Sequence, residues 1–128
     1  MKNIFLLTIF TCLSLGFFSC KKQTINYDSV LIRLKNNSTY NMDSILINTS
    51  KSSQNYGNLA AGDTTGYRSF DVAYATAFVN ARIDGNHFVF QPDSNFTNQT
   101  YLENGKYMYL IEVKNYDTQE LNLIFQEE

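Results

Sequence analysis

The sequence predicts an all-β protein, built as a single β-sandwich of about seven short strands with Greek-key connections. Short stretches in which apolar and polar residues alternate recur along the chain, as in half-buried strands. Turn-forming residues separate these stretches at the spacing of a sandwich, and almost no segment favours helix. A partly closed barrel is the alternative architecture, because it uses the same strand pattern.

The first half of the folded region contains four extended segments. Ser29–Asn36 and Asp43–Thr49 both place apolar residues at every second position. We expect these two strands to pair as an antiparallel hairpin with a long connection. Gln54–Leu59 and Thr64–Phe70 follow, and the turn-forming run Ala60–Asp63 separates them.

The second half is predicted to form two hairpins. Ala73–Ile83 has alanines that favour helix, but its β-branched and aromatic residues and its period of two favour a strand. Asp-Gly-Asn at 84–86 is the strongest hairpin turn in the chain, and His87–Gln91 is the returning strand. Lys106–Asn115 is nearly continuously apolar, as in a central strand, and Glu120–Gln126 pairs with it.

The N-terminus has the pattern of a secretory signal. Lys2 precedes the apolar run Ile4–Phe18, which is shorter than the roughly 20 residues that a membrane span needs. The sequence Phe-Phe-Ser-Cys at 17–20 resembles a relaxed bacterial lipobox, and together with the following lysines it resembles lipoproteins of the Bacteroidetes. Cleavage near Ser19 that leaves Cys20 as a free thiol, and an uncleaved anchor, are the alternatives.

The resemblance implies that Cys20 is lipidated and that the mature chain begins there. It divides the chain into a signal peptide (1–19), a lipidated cysteine with a tether (20–28) and a β-sandwich domain (29–128). Lys21 stands where an Asp would favour retention in the inner membrane, which implies delivery to the outer membrane. The segment after Cys20 lacks the acidic stretch typical of surface-exported lipoproteins, which favours the periplasmic face over the cell surface.

Two further resemblances lie in the folded region. The sequence Asn-Leu-Ala-Ala-Gly-Asp-Thr-Thr-Gly-Tyr at 58–67 resembles a strand entry of immunoglobulin-like domains in bacterial envelope proteins, which implies an immunoglobulin-like sandwich. Asp-Ser-Val, Asp-Ser-Ile and Asp-Thr-Thr are similar to a Bacteroidetes O-glycosylation sequon, which implies glycans on Ser29, Ser44 and Thr64. The alternative is that these hydroxyls only hydrogen-bond the backbone where a strand begins.

Composition excludes several classes of function. Removal of Lys2 with the signal leaves nine Lys and Arg against twelve Asp and Glu, without a basic stripe, so nucleic acid is not expected as a partner. The two cysteines are Cys12, which is lost with the signal, and Cys20, so the domain has neither a disulfide nor thiol chemistry. We predict no cofactor and no metal site, with a calcium ion shared between loops as the alternative.

No catalytic set is recognisable in the sequence. His87 is the single histidine, and neither a cysteine nor a marked serine accompanies it. We therefore predict a lipid-anchored module of the cell envelope that acts by binding and is not an enzyme. Its expected partner is another envelope protein, which it would contact through the long loop Pro92–Asn104 or an exposed sheet edge.

Two alternative functions stay open. The first is a glycan-binding module, and the second is a small envelope hydrolase that uses His87. Exposed aromatic side chains in or beside loops can stack on sugars or fill a partner's pocket. The candidate contact residues are Tyr56, Tyr67, Phe96 and Tyr101.

Overall fold

The computed structural model describes residues 27–93 and 96–128, and these residues form an all-β fold. The predicted signal peptide, Cys20 and most of the predicted tether lie outside the described residues, as do Ser94 and Asn95. The strands are β1 (Val30–Asn36), β2 (Asp43–Asn48), β3 (Ser53–Asn55), β4 (Arg68–Phe70), β5 (Phe78–Ile83), β6 (Asn86–Phe90), β7 (Gly105–Asn115) and β8 (Glu120–Glu127). The predicted all-β class is confirmed. In the described part of the chain, no helix has the length and apolar character to cross a membrane.

The eight strands form one sheet in the order β3-β2-β5-β6-β8-β7-β1-β4. The sheet curls until its end strands, β3 and β4, approach each other. Side chains bridge this gap, because Gln54 Nε2 donates to the carbonyl of Ser69 at 2.8 Å and the Tyr56 hydroxyl donates to the carbonyl of Ile32 at 2.7 Å. The result is a nearly closed barrel of eight strands, whereas the sequence analysis favoured a sandwich of about seven.

The predicted hairpin between β1 and β2 is wrong. β1 pairs with β4 and, in parallel, with β7, while β2 pairs with β3 and β5. The buried Asn36 amide turns the chain away, since it donates to the carbonyls of Tyr40 (2.7 Å) and Leu59 (3.1 Å). Met42 then exchanges backbone hydrogen bonds with Leu59, which carries the chain to the other side of the barrel.

The two other hairpins are confirmed. β5 and β6 are joined by Asp84 (φ 51°) and Gly85 (φ 79°), the left-handed pair that a two-residue hairpin turn requires. β7 and β8 pair along their length. The strand predicted from Ala73 begins only at Phe78, because the carbonyls before it accept hydrogen bonds from side chains.

The alternation predicted for β1 and β2 is also confirmed, since their inward residues fill the core. The buried members of these two strands are Val30, Ile32, Leu34, Ile45 and Ile47. Phe88, Tyr109 and Ile111 complete the centre of the barrel. In β7, three consecutive residues (109–111) are buried, as expected for a strand that is covered on both faces.

Strand directions gather the loops at two ends of the barrel. The register of Val30 with Gly105 and of Tyr107 with Glu127 puts the start of β1 beside the start of β7 and the end of β8. Residues 27–29 and the loops 49–52, 71–77 and 91–104 therefore lie at one end, which we call the tether end. The turns after β5 and β7 lie at the opposite end, which we call the turn end.

Candidate binding surface

Three aromatic rings and a lysine from three different loops meet at the tether end. Tyr74 lies at their centre, with its ring centroid 5.1 Å from that of Phe96 and 5.2 Å from that of Tyr101. Lys51 Nζ lies 5.4 Å from the centroid of Tyr101 and donates a 3.1 Å hydrogen bond to its hydroxyl. We call these four residues the aromatic cluster.

The core of the barrel holds the centre of this cluster in place. The buried Tyr109 hydroxyl donates a 2.5 Å hydrogen bond to the carbonyl of Tyr74. Thr49 Oγ1 donates to the carbonyl of Val72 at 2.6 Å, and the Leu102 amide donates to the carbonyl of Ala73 at 2.9 Å. Loops 71–77 and 96–104 are thus fixed to each other and to β7.

Exposure and charge differ sharply within the cluster. Tyr74 is 5% exposed, whereas Tyr101 is 55% exposed. The hydrogen bond from Lys51 lowers the pKa of the Tyr101 hydroxyl and raises the pKa of the lysine, while burial raises the pKa of Tyr74. Tyr101 therefore offers a broad, partly polarised ring on a rigid base, which is a side chain suited to contact with a partner.

A groove of about 620 Å³ continues from Tyr101 along the loop and over the end of β8. Asn98, Gln99 and Thr100 supply amide and hydroxyl groups on one side. Tyr107 and Phe125 form the aromatic part of the floor, with ring centroids 5.5 Å apart. The groove combines flat rings with hydrogen-bonding side chains, the mixture that binds sugars and extended peptides.

Phe96 and Tyr101, two of the predicted contact residues, meet in this cluster, but Tyr56 and Tyr67 do not. Tyr56 lies beside a loop as expected, directly after β3, but it is only 7% exposed and its hydroxyl donates to the Ile32 carbonyl, so the exposure expected for it is wrong. Its role is to help close the barrel. The Arg68 guanidinium lies 5.3 Å from its ring centroid and covers it further.

Tyr67 belongs to a separate charged cluster on the outside of β1. Its hydroxyl donates to the Glu128 carboxylate, which also forms an ion pair with Arg33. Lys106 Nζ lies 4.9 Å from the Tyr67 ring centroid. Desolvation acts to raise the pKa of Glu128, but the hydrogen bonds from Arg33 and Tyr67 outweigh it and lower that pKa. Tyr67 is therefore engaged with neighbouring side chains of its own chain.

The three predicted glycosylation hydroxyls occupy different surroundings. Ser44 and Thr64 are exposed, and Ser29 is half-buried. Ser44 has a positive φ of 53° at the irregularity between β2 and β5. Thr64 forms an isolated bridge with Lys35, and the carbonyl of Ser29 accepts a hydrogen bond from Gly105. Glycosylation of all three residues stays a prediction.

His87 lies exposed on β6, where its Nδ1 is 3.0 Å from Asn80 Oδ1. The contact is an amide, which supplies no carboxylate to orient or activate the imidazole. Across the described residues, no group of three or more His, Cys, Asp or Glu side chains is arranged to hold a metal ion.

Sequence reasoning missed Lys51. Lys51 is one lysine in a serine-rich loop, and no local pattern marks it, because its contact with Tyr101 joins residues 50 positions apart. The role of Tyr109 in fixing loop 71–77 was also hidden, since a tyrosine in a central strand carries no sign of where its hydroxyl points.

Comparison with known proteins gives a likeness of fold alone. No known family matches the sequence, and no curated protein matches it. Among solved structures, an NMR structure of a protein from Eubacterium rectale is similar, with a TM-score of 0.53 and 15% identity. The match covers 78% of this chain and 90% of that one.

Proposed function

We propose that this protein is a lipid-anchored module of the cell envelope that acts by binding another envelope protein and not by catalysis. The observation that carries the proposal is Tyr101, which is 55% exposed and rests on loops fixed to the core. A large exposed aromatic ring on a rigid base loses little conformational entropy on binding, and such residues dominate the energy of protein interfaces.

The position of this surface supports a partner at the membrane. The aromatic cluster lies at the tether end, where residues 27–29 lead into β1. If Cys20 is acylated, the eight residues 21–28 span at most about 29 Å. The aromatic cluster would then face the lipid surface at short range, where the outer portions of a membrane-embedded protein are found. We infer the outer membrane as the location, with the periplasmic face favoured.

The experiment that tests this function is crosslinking in intact cells of the native host. Tyr101→Ala removes the exposed ring, and Tyr116→Ala is the matched control, because Tyr116 is 37% exposed at the turn end. We expect one identified envelope protein to be captured stoichiometrically by the wild type and by Tyr116→Ala. Its capture should fall about five-fold or more in Tyr101→Ala, the effect of removing a contact worth more than about 1 kcal/mol. Equal capture by Tyr101→Ala and Tyr116→Ala would refute the proposal that the surface around Tyr101 binds the partner.

A glycan-binding module is the second candidate, and the groove beside Tyr101 favours it. Asn98, Gln99 and Thr100 could hydrogen-bond sugar hydroxyls while the Tyr101 ring stacks on a sugar face. Addition of envelope or dietary polysaccharides should then quench tyrosine fluorescence in the wild type and much less in Tyr101→Ala. An unchanged signal with every polysaccharide would remove this candidate.

The anchor and the finer fold class also belong to this proposal. We infer that the chain is a small Bacteroidetes-type lipoprotein, and intact-mass analysis of the membrane-extracted protein tests this through the acyl mass on Cys20. We infer an immunoglobulin-like sandwich from the four strands on each side of the barrel, β3-β2-β5-β6 and β8-β7-β1-β4. These sides meet at a single residue pair between β6 and β8.

A further inference from the structure

One edge of β8 has unpaired backbone groups along most of its length. β8 pairs with β7 from Glu120 to Glu127. On its other side it meets β6 only at the pair Val89 and Glu120. Beyond Leu121, no strand in the described part of the chain lies in register with this second edge.

The hydrogen bond from the Glu128 amide to the carbonyl of Lys106, at 3.1 Å, identifies which groups are unpaired. In an antiparallel ladder, alternate residues turn both backbone groups toward the partner strand. The groups of Leu123, Phe125 and Glu127 must therefore turn away from β7. Within the described residues, neither the pairing of β8 with β6 nor a loop hydrogen bond involves these groups. The edge thus offers three N–H donors and three C=O acceptors.

The space beside this edge is open and partly apolar. β6 ends at Phe90, one residue after its pair with β8, and a cavity of about 440 Å³ lies beside the two strands, bordered by Phe90 and Leu121. The groove beside Tyr101 borders the later part of β8, at Phe125 and Glu127. Phe90, Leu102, Leu123 and Phe125 pack on the core and are only partly buried. An added strand would pair with the free backbone groups of β8 and cover these side chains.

The charge around the open edge is acidic. Asp93 and Glu120 line the cavity between β6 and β8, where Lys114 is the one basic residue. Glu103 and Glu127 line the groove beyond it, which has no basic side chain in its lining. A chain segment with lysine or arginine side chains would be complementary to this surface.

We propose that β8 binds an extended, basic segment of a partner protein as an additional strand. This inference rests on the proposed binding function and names the kind of segment that the partner presents. Backbone pairing supplies affinity in this mode of recognition, and alternate side chains supply specificity. A second copy of this chain fits less well, because two β8 strands side by side would bring their own glutamates together.

The probe is an eight-residue peptide of alternating lysine and valine, acetylated and amidated at its ends. A peptide of the same length with the repeat Lys-Lys-Pro-Pro has the same charge but lacks half of the backbone donors on each of its edges. Amide hydrogen exchange followed by NMR reads the edge directly. In the free protein, the amides of Leu123, Phe125 and Glu127 should exchange much faster than those of Ile124 and Gln126. The lysine–valine peptide should slow all three, and the proline peptide should not.

Charge reversal tests the complementarity. Glu120→Lys with Glu127→Lys should weaken binding of the lysine–valine peptide about two- to five-fold for each charge, while Asp117→Lys at the turn end should not. Slow exchange at all three edge amides in the free protein, or absence of peptide binding, would overturn the inference. Protection that depends on protein concentration without peptide would also overturn it, since a second copy would then be the occupant. Capture through Tyr101 in cells is a separate measurement that distinguishes this failure from failure of the proposed function.

Discussion

Removal of a single buried hydroxyl should loosen the whole tether end. In Tyr109→Phe, the ring and its packing remain, but the carbonyl of Tyr74 loses the donor that lies 2.5 Å away. A buried polar group without a partner costs about 1–3 kcal/mol. The free energy of unfolding should therefore fall by that amount, which corresponds to at least about 4 °C in Tm for a domain of this size.

Tyr116→Phe is the matched control. It also removes a tyrosine hydroxyl from a hydrogen bond, to the Asp84 carboxylate at 2.7 Å, but at an exposed site. Water replaces the lost donor there, so the change should stay within about 0.5 kcal/mol. Comparison of the two variants therefore separates the cost of an unpaired buried carbonyl from the loss of a tyrosine hydroxyl at an exposed site.

Urea unfolding followed by far-UV circular dichroism measures the stability of both variants. Crosslinking in cells to the proposed envelope partner is a second measurement on Tyr109→Phe. Loss of the hydrogen bond should reduce capture through Tyr101, because Tyr74 supports that ring. A loss of stability in Tyr109→Phe no larger than in Tyr116→Phe would refute the reasoning. It would mean that the carbonyl of Tyr74 finds water or another donor.

Three other predictions follow from the described contacts. Burial raises the pKa of Tyr56 and Tyr109 in the folded state, so the folded protein binds these protons more tightly than the unfolded chain. Their contribution to the free energy of unfolding should be fully present below pH 10 and should be lost as the pH rises above it. In urea titrations at several pH values, the double variant Tyr56→Phe with Tyr109→Phe should lose less stability above pH 10 than the wild type. An equal loss in both proteins would contradict this. Gly85→Ala should lower the free energy of unfolding by about 1–2 kcal/mol because of its φ of 79°, whereas Gly66→Ala should change it little. Neither added methyl meets an atom within 4 Å, so the backbone conformation alone makes the difference, and equal Tm values for the two variants would contradict this. Lys51→Met should raise the pKa of Tyr101 toward about 10 in an NMR titration, whereas Lys114→Met should leave it unchanged; no difference between them would contradict the contact.

Local patterns predicted most of the strands correctly, because alternation and turn chemistry act over a few residues. The hairpin turn at Asp84 and Gly85 is an example, since both residue types accept positive φ. The pairing of β1 was predicted wrongly, because its partners are decided by contacts far away in sequence. The buried Asn36 amide, which redirects the chain, looks in the sequence like an ordinary turn residue.

The candidate surface was predicted only in part, for the same reason. Phe96 and Tyr101 could be identified because they lie in a long loop, but Tyr56 lies in a similar context and is buried. The hydroxyl of Tyr56 reaches the carbonyl of Ile32 only after the barrel has closed. Sequence reasoning cannot tell a loop tyrosine that closes a core from one that stays exposed.

The parallel pairing of β1 with β7 has a consequence for how the chain folds. Val30 pairs with Gly105, about 75 positions later, so β1 has no partner on that side until nearly the whole chain is present. Such non-local pairing slows folding to about milliseconds to seconds in small all-β domains. Until β7 is available, the unpaired β1 is exposed to aggregation, and a chaperone that shields it would raise the yield of folded protein.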